Sequence, residues 1–415
     1  SMSEREELIL NPIPKDERTG WKAPLFNILG CNVAISELMV GGALIAGLSL
    51  RDLIGVSIAG NLLLVLILCL QGYMGCREGM NTYVLAQGAF GKKGGQMIIA
   101  LILGITSFGW FGIQAGVAGL SLQKIFPSLN LTLVVVVLGI LMMLFAAMGF
   151  NTMALFNYIA VPPLILLMIW GVSQIVAGGN WEALWTYTPS NPISITDGIN
   201  SVVGLIIVGA VISPDYLRYT RGIKDIFYIG LIGFALISIF QQVAAGMIAM
   251  NAPSWDITEV LAKQGFSSIA FLILLLAAWS TNLSNAYSGG LALKTLFPSF
   301  RRVTLTMIAG LIGTAIAASG IIFKFIAFLS FLSMLVPPIA GVMWADYYGL
   351  NHRRLVLSDG IRWAAILSWL AGALASWISS SCSFGLPPIN GIVVAGVVHY
   401  ILSCSSREKF SSVEG

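Results

Sequence analysis

The sequence predicts an all-α membrane protein, and composition, run length and charge placement each support this class. Of its 415 residues, 57% are apolar and only 10% are charged, whereas soluble domains average about 25% charged residues. Apolar runs of about 20 residues suit membrane-spanning helices; they are too long for barrel strands and do not alternate as such strands do. The composition excludes a soluble globule, a disordered chain and a nucleic-acid binder with a basic patch.

Twelve apolar runs predict twelve transmembrane helices, α1 to α12. Their predicted ranges are, in order, 24–48, 53–75, 95–122, 130–150, 153–177, 197–214, 225–250, 267–293, 302–320, 322–345, 361–381 and 388–404. The helices divide the chain into an N-terminal tail, two units of five helices, a final helix pair and a C-terminal tail. The corresponding ranges are 1–23, 24–177, 197–345, 361–404 and 405–415.

The positions of Lys and Arg orient these helices. If both termini are cytoplasmic, 18 of the 22 basic residues lie on the cytoplasmic side, which is the asymmetry that the positive-inside rule describes. The outer side then keeps Arg51, Lys124, Lys263 and Lys324. Because a missed or extra helix would reverse every later segment, this asymmetry supports the count of twelve.

Glu37 is the most unusual residue of the predicted membrane core, since it lies near the middle of α1 among apolar neighbours. A charge at the bilayer centre costs about 2.5–3.5 kcal/mol on insertion scales, so such residues usually face a cavity or a partner. Three interpretations are open. The carboxyl group accepts hydrogen bonds from a ligand, it is a proton-coupling or protonated structural group, or it lies at a wet edge of the membrane.

α3 carries Trp110 and Gln114 four residues apart, hence on one helical face. An indole and an amide together suit a flat polar ring, because the indole stacks on the ring and the amide supplies a donor and an acceptor. The alternative is an aromatic side chain that packs against lipid or a neighbouring helix, with Gln114 bonded to another helix.

α8 carries the segment 279–285, WSTNLSN, which is unusually polar for a membrane span. Hydroxyl and backbone carbonyl oxygens suit a hard cation such as Na⁺, whereas the Asn amides suit a ligand with both donors and acceptors. The alternative is hydrogen bonding between helices, worth about 0.6 kcal/mol per bond.

Glycines inside α1 and α6 point to breaks in these two helices. Gly41, Gly42 and Gly47 lie within α1, and Gly204 and Gly209 lie within α6. These are the first helices of the two five-helix units, and transporters built from inverted repeats break such paired helices at mid-membrane to bind substrate and ion. The alternative is that the glycines only allow close helix packing, since the two units share no clear sequence identity.

Other functional classes find little support in the sequence. Five scattered cysteines and two histidines do not assemble a convincing zinc or redox site. No phosphate-binding loop or nucleophile motif is present. We therefore expect no cofactor, no catalytic residue and no ATP-driven step.

Several short motifs follow one another in a distinctive order. The first group is Gly47-Leu48-Ser49, Gly60-Asn61, Gly72-Tyr73, Gly79, Thr82-Tyr83-Val84-Leu85 and Phe90-Gly91. The second group is Gly109-Trp110-Phe111-Gly112, Asp215, Arg218-Tyr219, Ser280-Thr281-Asn282, Pro337-Pro338 and Ala345-Asp346-Tyr347. In this order they resemble the nucleobase:cation symporter-1 family over nearly the whole chain, and the length is similar to that of its bacterial cytosine permease branch.

The resemblance implies a transporter with a five-plus-five inverted repeat, broken helices α1 and α6, and two additional helices. Members of that family move nucleobases or related rings, usually coupled to Na⁺ or H⁺. Together with Glu37, the expected substrate-binding residues are Ala34, Ser107, Trp110, Gln114, Leu205, Ile206, Asn282, Ser284 and Asn285. The implied cation ligands are the carbonyls of Gly30, Val33 and Ala277 and the hydroxyls of Ser280 and Thr281.

Two positions depart from the family pattern. Members carry an aromatic residue in the broken part of α6, where this chain has Ile206. The substrate ring is then stacked on one side only, or Phe108 or Phe111 substitutes. Cytosine permeases have a small residue at the position of Glu37, and a carboxylate there suits the adjacent N–H groups of an aminopyrimidine.

We therefore expect a monomeric, multi-pass protein of the bacterial inner membrane that imports cytosine or a related aminopyrimidine by symport with Na⁺ or H⁺. The alternative substrates are a hydroxymethylpyrimidine (the thiamine precursor), a purine or a hydantoin, and the alternative mechanism is uncoupled facilitation. The expected partners are the heterocyclic substrate and the lipid bilayer, without nucleic acid. By the resemblance, α3, α4, α8 and α9 rock against α1, α2, α6 and α7.

Overall fold

A computed structural model describes residues 12–411, without the side chains of Asn27, Phe150, Asn151, Met153, Ala154 and 407–411. Helices and their connections make up this part of the chain, which contains no β-strand. α1 consists of two helices, Lys22–Asn32 and Ile35–Ile45, which meet at an angle of 58°. The first membrane span is therefore a broken helix.

The remaining membrane helices follow the predicted ranges. α1 is followed by α2 (Leu50–Glu78), α3 (Lys92–Ile125), α4 (Leu131–Ala147) and α5 (Phe150–Ala177). Then come α6 (Ile195–Val211), α7 (Ile223–Ala249), α8 (Ser268–Leu296), α9 (Arg302–Ala318) and α10 (Ile321–Leu350). The last pair is α11 (Trp363–Cys382) and α12 (Pro387–Ser411).

Length and apolarity identify a membrane protein. Within the described residues, eight helices are long and apolar enough to cross a membrane, and the bent α1 makes a ninth. α4, α6 and α9 are apolar helices of 17 residues. At a rise of about 1.5 Å per residue they fall slightly short of a bilayer core of about 30 Å. Together these helices stand at the twelve positions that the sequence predicts.

Short helices connect several spans: Thr82–Phe90, Trp181–Thr186, Pro214–Leu217 and Ile257–Lys263. Gly79 ends α2 in the left-handed conformation, with φ of 66°, which glycine adopts without strain. The Thr82 N–H then donates to Asp215 Oδ1 at 2.8 Å. This bond ties the segment after α6 to the connection between α2 and α3.

α6 and α7 depart from regular helices at specific places. α6 is regular through Leu205 and Ile206 and ends at Val211. Its interruption lies at Ile212, before the one-turn helix Pro214–Leu217, rather than at Ile206. α7 contains a π-helical segment, Ile229–Leu236, and such segments are frequent near functional sites.

The membrane helices pack as two groups. α3 lies along α8, and both contact α4 and α9. The second part of α1 lies against α7, while α2 lies against α6 and α7. Close approach requires glycine, because a Cβ atom on Gly41 would lie 2.3 Å from the Gln242 carbonyl oxygen of α7. The glycines of α1 therefore serve helix packing, and the break lies earlier, at Val33 and Ala34.

Candidate transport site

A cavity of about 230 Å³ lies between α1, α3, α6 and α8. Its lining residues are Cys31, Asn32, Ala34, Ser36, Glu37, Leu103, Thr106, Ser107, Trp110, Gln114, Leu205, Ile206, Val208, Gly209, Ile212, Thr281, Asn285 and Ser288. Its α3 residues, from Leu103 to Gln114, lie around the middle of that helix. Nine of the 18 lining residues are polar, and convergent polar groups in a concave cavity are typical of a small-molecule site.

Most of the expected substrate residues meet at this cavity. Those that line it are Ala34, Glu37, Ser107, Trp110, Gln114, Leu205, Ile206 and Asn285. Asn282 and Ser284 do not belong to the lining. Of the expected cation ligands, Thr281 lines the cavity, while Gly30, Val33, Ala277 and Ser280 lie outside its lining.

The break in α1 has a defined set of partners. Val33 has ψ of 96°, and Ala34 is extended, with φ of −147° and ψ of 153°. A broken helix frees backbone groups that need partners inside a membrane. Gln241 Nε2 of α7 donates to the Asn32 carbonyl at 2.8 Å, and its Oε1 accepts the Ala34 N–H at 3.2 Å. Asn32 Nδ2 donates to the Gly233 carbonyl, also of α7, at 2.7 Å.

Glu37 lies in the first turn of the second segment of α1, with 2% of its surface exposed. Its carboxylate accepts hydrogen bonds from Ser238 Oγ at 2.7 Å and from Gln242 Nε2 at 2.8 Å. Gln242 Oε1 accepts from Ser57 Oγ at 2.6 Å and from Asn61 Nδ2 at 3.2 Å. The Gln242 amide therefore presents its N–H groups to Glu37. Since this network is buried beside the cavity, the interpretation of Glu37 as a wet-edge residue is wrong.

Trp110 is held in place by aromatic side chains of α10. Its ring centroid lies 6.1 Å from that of Phe325 and 5.5 Å from that of Phe328, both edge to face. Gly109 admits Phe328, because a Cβ atom there would lie 2.5 Å from the Phe328 ring. A planar ligand in the cavity therefore meets an indole ring whose position is already fixed.

The other aromatic residues of this segment do not line the cavity. Phe111 is buried in the core, and Phe108 lines a separate apolar groove formed by α3, α8 and α11. The suggestion that either residue replaces the missing aromatic of α6 is therefore wrong. Leu205 and Ile206 form an apolar wall on the α6 side.

Two buried polar atoms of the lining lack partners. Gln114 Oε1 and Thr106 Oγ1 have no hydrogen-bond partner in the part of the chain that the structure describes. Leaving a buried acceptor unpaired costs about 1–3 kcal/mol. A ligand N–H group would supply the bond that Gln114 lacks once the Gln114 amide turned its oxygen into the cavity.

Asn282 lies behind the lining and supports it. Its Nδ2 donates to the Phe111 carbonyl of α3 at 3.0 Å, and its Oδ1 accepts from Asn285 Nδ2 at 3.1 Å. Asn282 therefore joins α8 to α3 and orients Asn285, which does line the cavity. The sequence pattern does not show whether an Asn amide contacts the ligand itself or positions another amide that does.

The two hydroxyl groups among the expected cation ligands of α8 donate to different partners. Thr281 Oγ1 donates to the Ala277 carbonyl at 3.0 Å, and Ser280 Oγ donates to Asn157 Oδ1 of α5. Because each hydroxyl proton is used in these bonds, the oxygen lone pairs are left as acceptors. Oxygen ligands of this kind suit Na⁺ as a hard cation.

Sequence reasoning missed Gln241, Gln242 and Asn157. The two adjacent glutamines in the apolar α7 were the available signal, because polar side chains in a membrane span require a partner. That signal does not identify the partner, which lies far away in the sequence. Asn157 gives no comparable pattern.

The fold and the site define a membrane permease, and sequence comparison identifies its family. A profile of the family described as a permease for cytosine/purines, uracil, thiamine and allantoin matches residues 12–403. The chain therefore belongs to this family, which confirms the predicted resemblance. It is 31% identical over 412 residues to the cytosine permease of Escherichia coli K12, covering 97% of this chain and 95% of that protein. The hydantoin permease of Microbacterium maritypicum is 25% identical over 413 residues, covering 88% and 82%.

Solved structures share the fold. The inward-facing conformation of Mhp1 matches with a TM-score of 0.84 at 20% identity, covering 96% of this chain and 93% of that chain. Mhp1 in a closed conformation with bromovinylhydantoin bound, a nucleobase-cation-symport-1 family transporter, gives 0.79 at 21% identity, covering 97% and 96%. This likeness confirms the expected all-α transporter fold.

Proposed function

We propose that the chain imports cytosine or a related aminopyrimidine by symport with a cation. Trp110, Gln114 and Glu37 line one cavity, which supports this proposal. A planar ring stacks on the indole, and N–H groups at its edges bond the acceptors of Gln114 and Glu37. The unpaired Gln114 Oε1 beside Trp110 carries this proposal. Membership of the permease family and the similarity to a cytosine permease support it.

Glu37 favours a ligand that presents more than one N–H group. Its carboxylate accepts two hydrogen bonds from the protein, whereas two carboxylate oxygens offer about four acceptor positions. The negative charge at the start of the second α1 segment is also favoured by the helix dipole. The exocyclic amino group of an aminopyrimidine provides donors of the required kind.

A pyrimidine with a hydroxymethyl group is the second candidate. Thr106, Ser107 and Ser288 place three hydroxyl groups in the lining, and the Thr106 hydroxyl lacks a partner among the described residues. A substituent that both donates and accepts hydrogen bonds suits such a surface. Purines and hydantoins are the remaining alternatives, and competition assays separate them.

The coupling cation of this proposal is Na⁺, bound by oxygen atoms of α1 and α8. The proposed ligands are the carbonyls of Gly30, Val33 and Ala277 and the hydroxyls of Ser280 and Thr281. The hydrogen bonding of the two α8 hydroxyls supports this set, because it leaves their lone pairs as acceptors. Proton coupling through Glu37 is the alternative.

We also propose a monomer in a bacterial inner membrane with both termini in the cytoplasm. The distribution of Lys and Arg supports this orientation. On the opposite face, the outer end of α1 is covered, because the Ile193 N–H donates to the Gly47 carbonyl at 3.0 Å and Tyr187 Oη donates to the Ile45 carbonyl at 2.8 Å. Rocking of the two helix groups would open this side and close the other.

Uptake by the purified protein in liposomes tests the function. Labelled cytosine should accumulate when an inward Na⁺ gradient is imposed and should not accumulate when choline replaces Na⁺. Assays at an acidic and a neutral pH separate Na⁺ coupling from H⁺ coupling. Equal uptake without accumulation in every buffer would establish an uncoupled facilitator, and no binding of any pyrimidine, purine or hydantoin would refute the proposal.

Trp110→Ala tests the site itself. Loss of ring stacking should weaken substrate binding about tenfold, since such contacts contribute about 0.5–1.5 kcal/mol beyond the buried area. Trp170→Ala is the matched control, because Trp170 is an exposed tryptophan of α5 and should leave affinity unchanged. Equal affinities of the two variants would remove Trp110 from the binding site.

A further inference from the structure

The break in α1 changes which backbone groups are paired. In an unbroken helix each N–H donates to the carbonyl four residues earlier, so Ala34 would bond Gly30 and Glu37 would bond Val33. In the structure the Ala34 N–H donates to Gln241 Oε1 at 3.2 Å. The Glu37 N–H donates to the Ala34 carbonyl, also at 3.2 Å. The carbonyls of Gly30 and Val33 are thereby released from their helical bonds.

The Asn32 carbonyl, in contrast, is paired with Gln241. Gln241 Nε2 donates to that carbonyl at 2.8 Å and to the Ile237 carbonyl of its own helix at 3.2 Å. The side chain is fully buried, and exchanging its oxygen and nitrogen would place a donor against the Ala34 N–H. The orientation of the Gln241 amide is therefore fixed. Its nitrogen pairs with the Asn32 carbonyl, and its oxygen takes the Ala34 N–H that would bond the Gly30 carbonyl in an unbroken helix.

Two of the carbonyls released at the break, those of Gly30 and Val33, are the ones expected to bind the coupling cation. Val33 lies between Asn32 and Ala34, and Gln241 holds the residues on both sides of it. The orientation of the Val33 peptide, with ψ of 96°, is consequently set by a side chain of α7. Ligand atoms bind a cation well only when the surrounding residues hold them in place.

We propose that Gln241 is the positioning residue of the cation site and selects the α1 carbonyls that face the cation. This inference rests on the cation site of the proposed function. Gln241 acts through the backbone of residues 32–34, because its amide bonds the Asn32 carbonyl and the Ala34 N–H. The adjacent Gln242 bonds Glu37 instead, so neighbouring residues of α7 support the ion side and the substrate side of the centre.

Gln241→Leu removes the three hydrogen bonds of the side-chain amide while nearly preserving side-chain size. In liposomes, the Na⁺ concentration that gives half-maximal uptake should rise at least about tenfold, since several hydrogen bonds that position the ligands are lost. The KM for substrate at saturating Na⁺ should change by less than about threefold. Gln241→Glu keeps an acceptor for the Ala34 N–H and should therefore show a smaller rise.

Gln242→Leu is the matched control from the next position of the same helix. It should raise the KM for substrate more than the half-maximal Na⁺ concentration, because its partner is Glu37. A purely structural role of Gln241 would lower the thermal midpoint of the ligand-free protein and leave the Na⁺ dependence unchanged. That result would overturn the inference while the proposed transport function stands.

A measurement on the wild-type protein tests the inference even where the variants do not fold. Na⁺ should slow hydrogen exchange in the peptide 30–37, where the released carbonyls lie, and unchanged exchange would overturn the inference. Wild-type uptake that depends on a proton gradient but not on Na⁺ would also overturn it and leave symport intact. Absence of any coupled uptake would instead refute the proposed function.

Discussion

α1 and α6 line the same cavity with opposite properties. α1 is broken at Val33 and Ala34 and brings a buried carboxylate, Glu37, into a hydrogen-bond network with α2 and α7. α6 continues as a regular helix past Leu205 and Ile206 and offers apolar side chains. The polar side chains and the broken backbone of this pair therefore lie on α1, whereas α6 presents apolar side chains from a regular helix.

The largest effect is expected where the α6 wall contacts α10. A Cβ atom on Gly204 would lie 2.1 Å from the Leu329 carbonyl oxygen, and a backbone oxygen has little freedom to move. Gly204→Ala should therefore destabilise the protein by about 3 kcal/mol through overpacking, measured as a lower thermal midpoint. Gly209→Ala on the same helix is the control, since its nearest contact is at 3.4 Å. Similar midpoints for both variants would show that the wall is not tightly packed.

The next effect concerns the polar side of the comparison. Glu37→Leu leaves the Ser238 hydroxyl and the Gln242 amide without their acceptor. Each unsatisfied buried group costs about 1–3 kcal/mol of folding stability. Because the carboxylate is also lost as an acceptor for the substrate, we expect substrate affinity to fall about tenfold or more. Glu37→Gln keeps one acceptor oxygen and should do less. If uptake kinetics of both variants equal those of the wild type, Glu37 has no part in recognition.

A smaller effect is expected one step behind Glu37. Ser57→Ala removes one of two donors to Gln242 Oε1, and Asn61 keeps the other. The loss of one neutral hydrogen bond contributes about 1 kcal/mol, so the KM should rise by about fivefold. Ser121→Ala serves as control, because the Ser121 hydroxyl bonds only within α3, to the Val117 carbonyl, among the contacts described. Equal KM values would show that Gln242 does not depend on Ser57 for its orientation.

The smallest effect is expected for the wall residue Ile206. It is half-buried and lines the cavity, so Ile206→Ala removes a contact of about 1 kcal/mol or less. Substrate affinity measured by competition should change by less than about fivefold. A loss as large as that of Glu37→Leu would contradict the division of roles between α6 and α1.

Features that depend on local periodicity could be predicted from the sequence. The spacing of Trp110 and Gln114 places them on one face of α3, and both line the cavity. Hydropathy located the spans because membrane insertion depends on local composition. The polar segment of α8 was also found, although Asn282 turned out to support the lining rather than to join it.

Features that depend on distant partners could not be predicted. The resemblance predicts a broken α1, but neither glycine nor proline marks the position of the break at Val33 and Ala34. The break is satisfied by Gln241, which lies 207 residues from Ala34 in the sequence. Composition shows that a polar side chain in α7 needs a partner, but only the packing of α7 against α1 shows which backbone groups it meets.

The π-helical segment Ile229–Leu236 has a consequence for α7 as a whole. Successive residues of an α-helix are rotated by about 100°, so the number of residues in this segment fixes the direction in which Gln241 and Gln242 point. Deleting a single residue there would turn both amides away from α1 by about that angle while leaving the composition of the span nearly unchanged. A relative with one residue more or fewer in this segment would lose both amide contacts at once. A comparison of residue types alone would not reveal this loss.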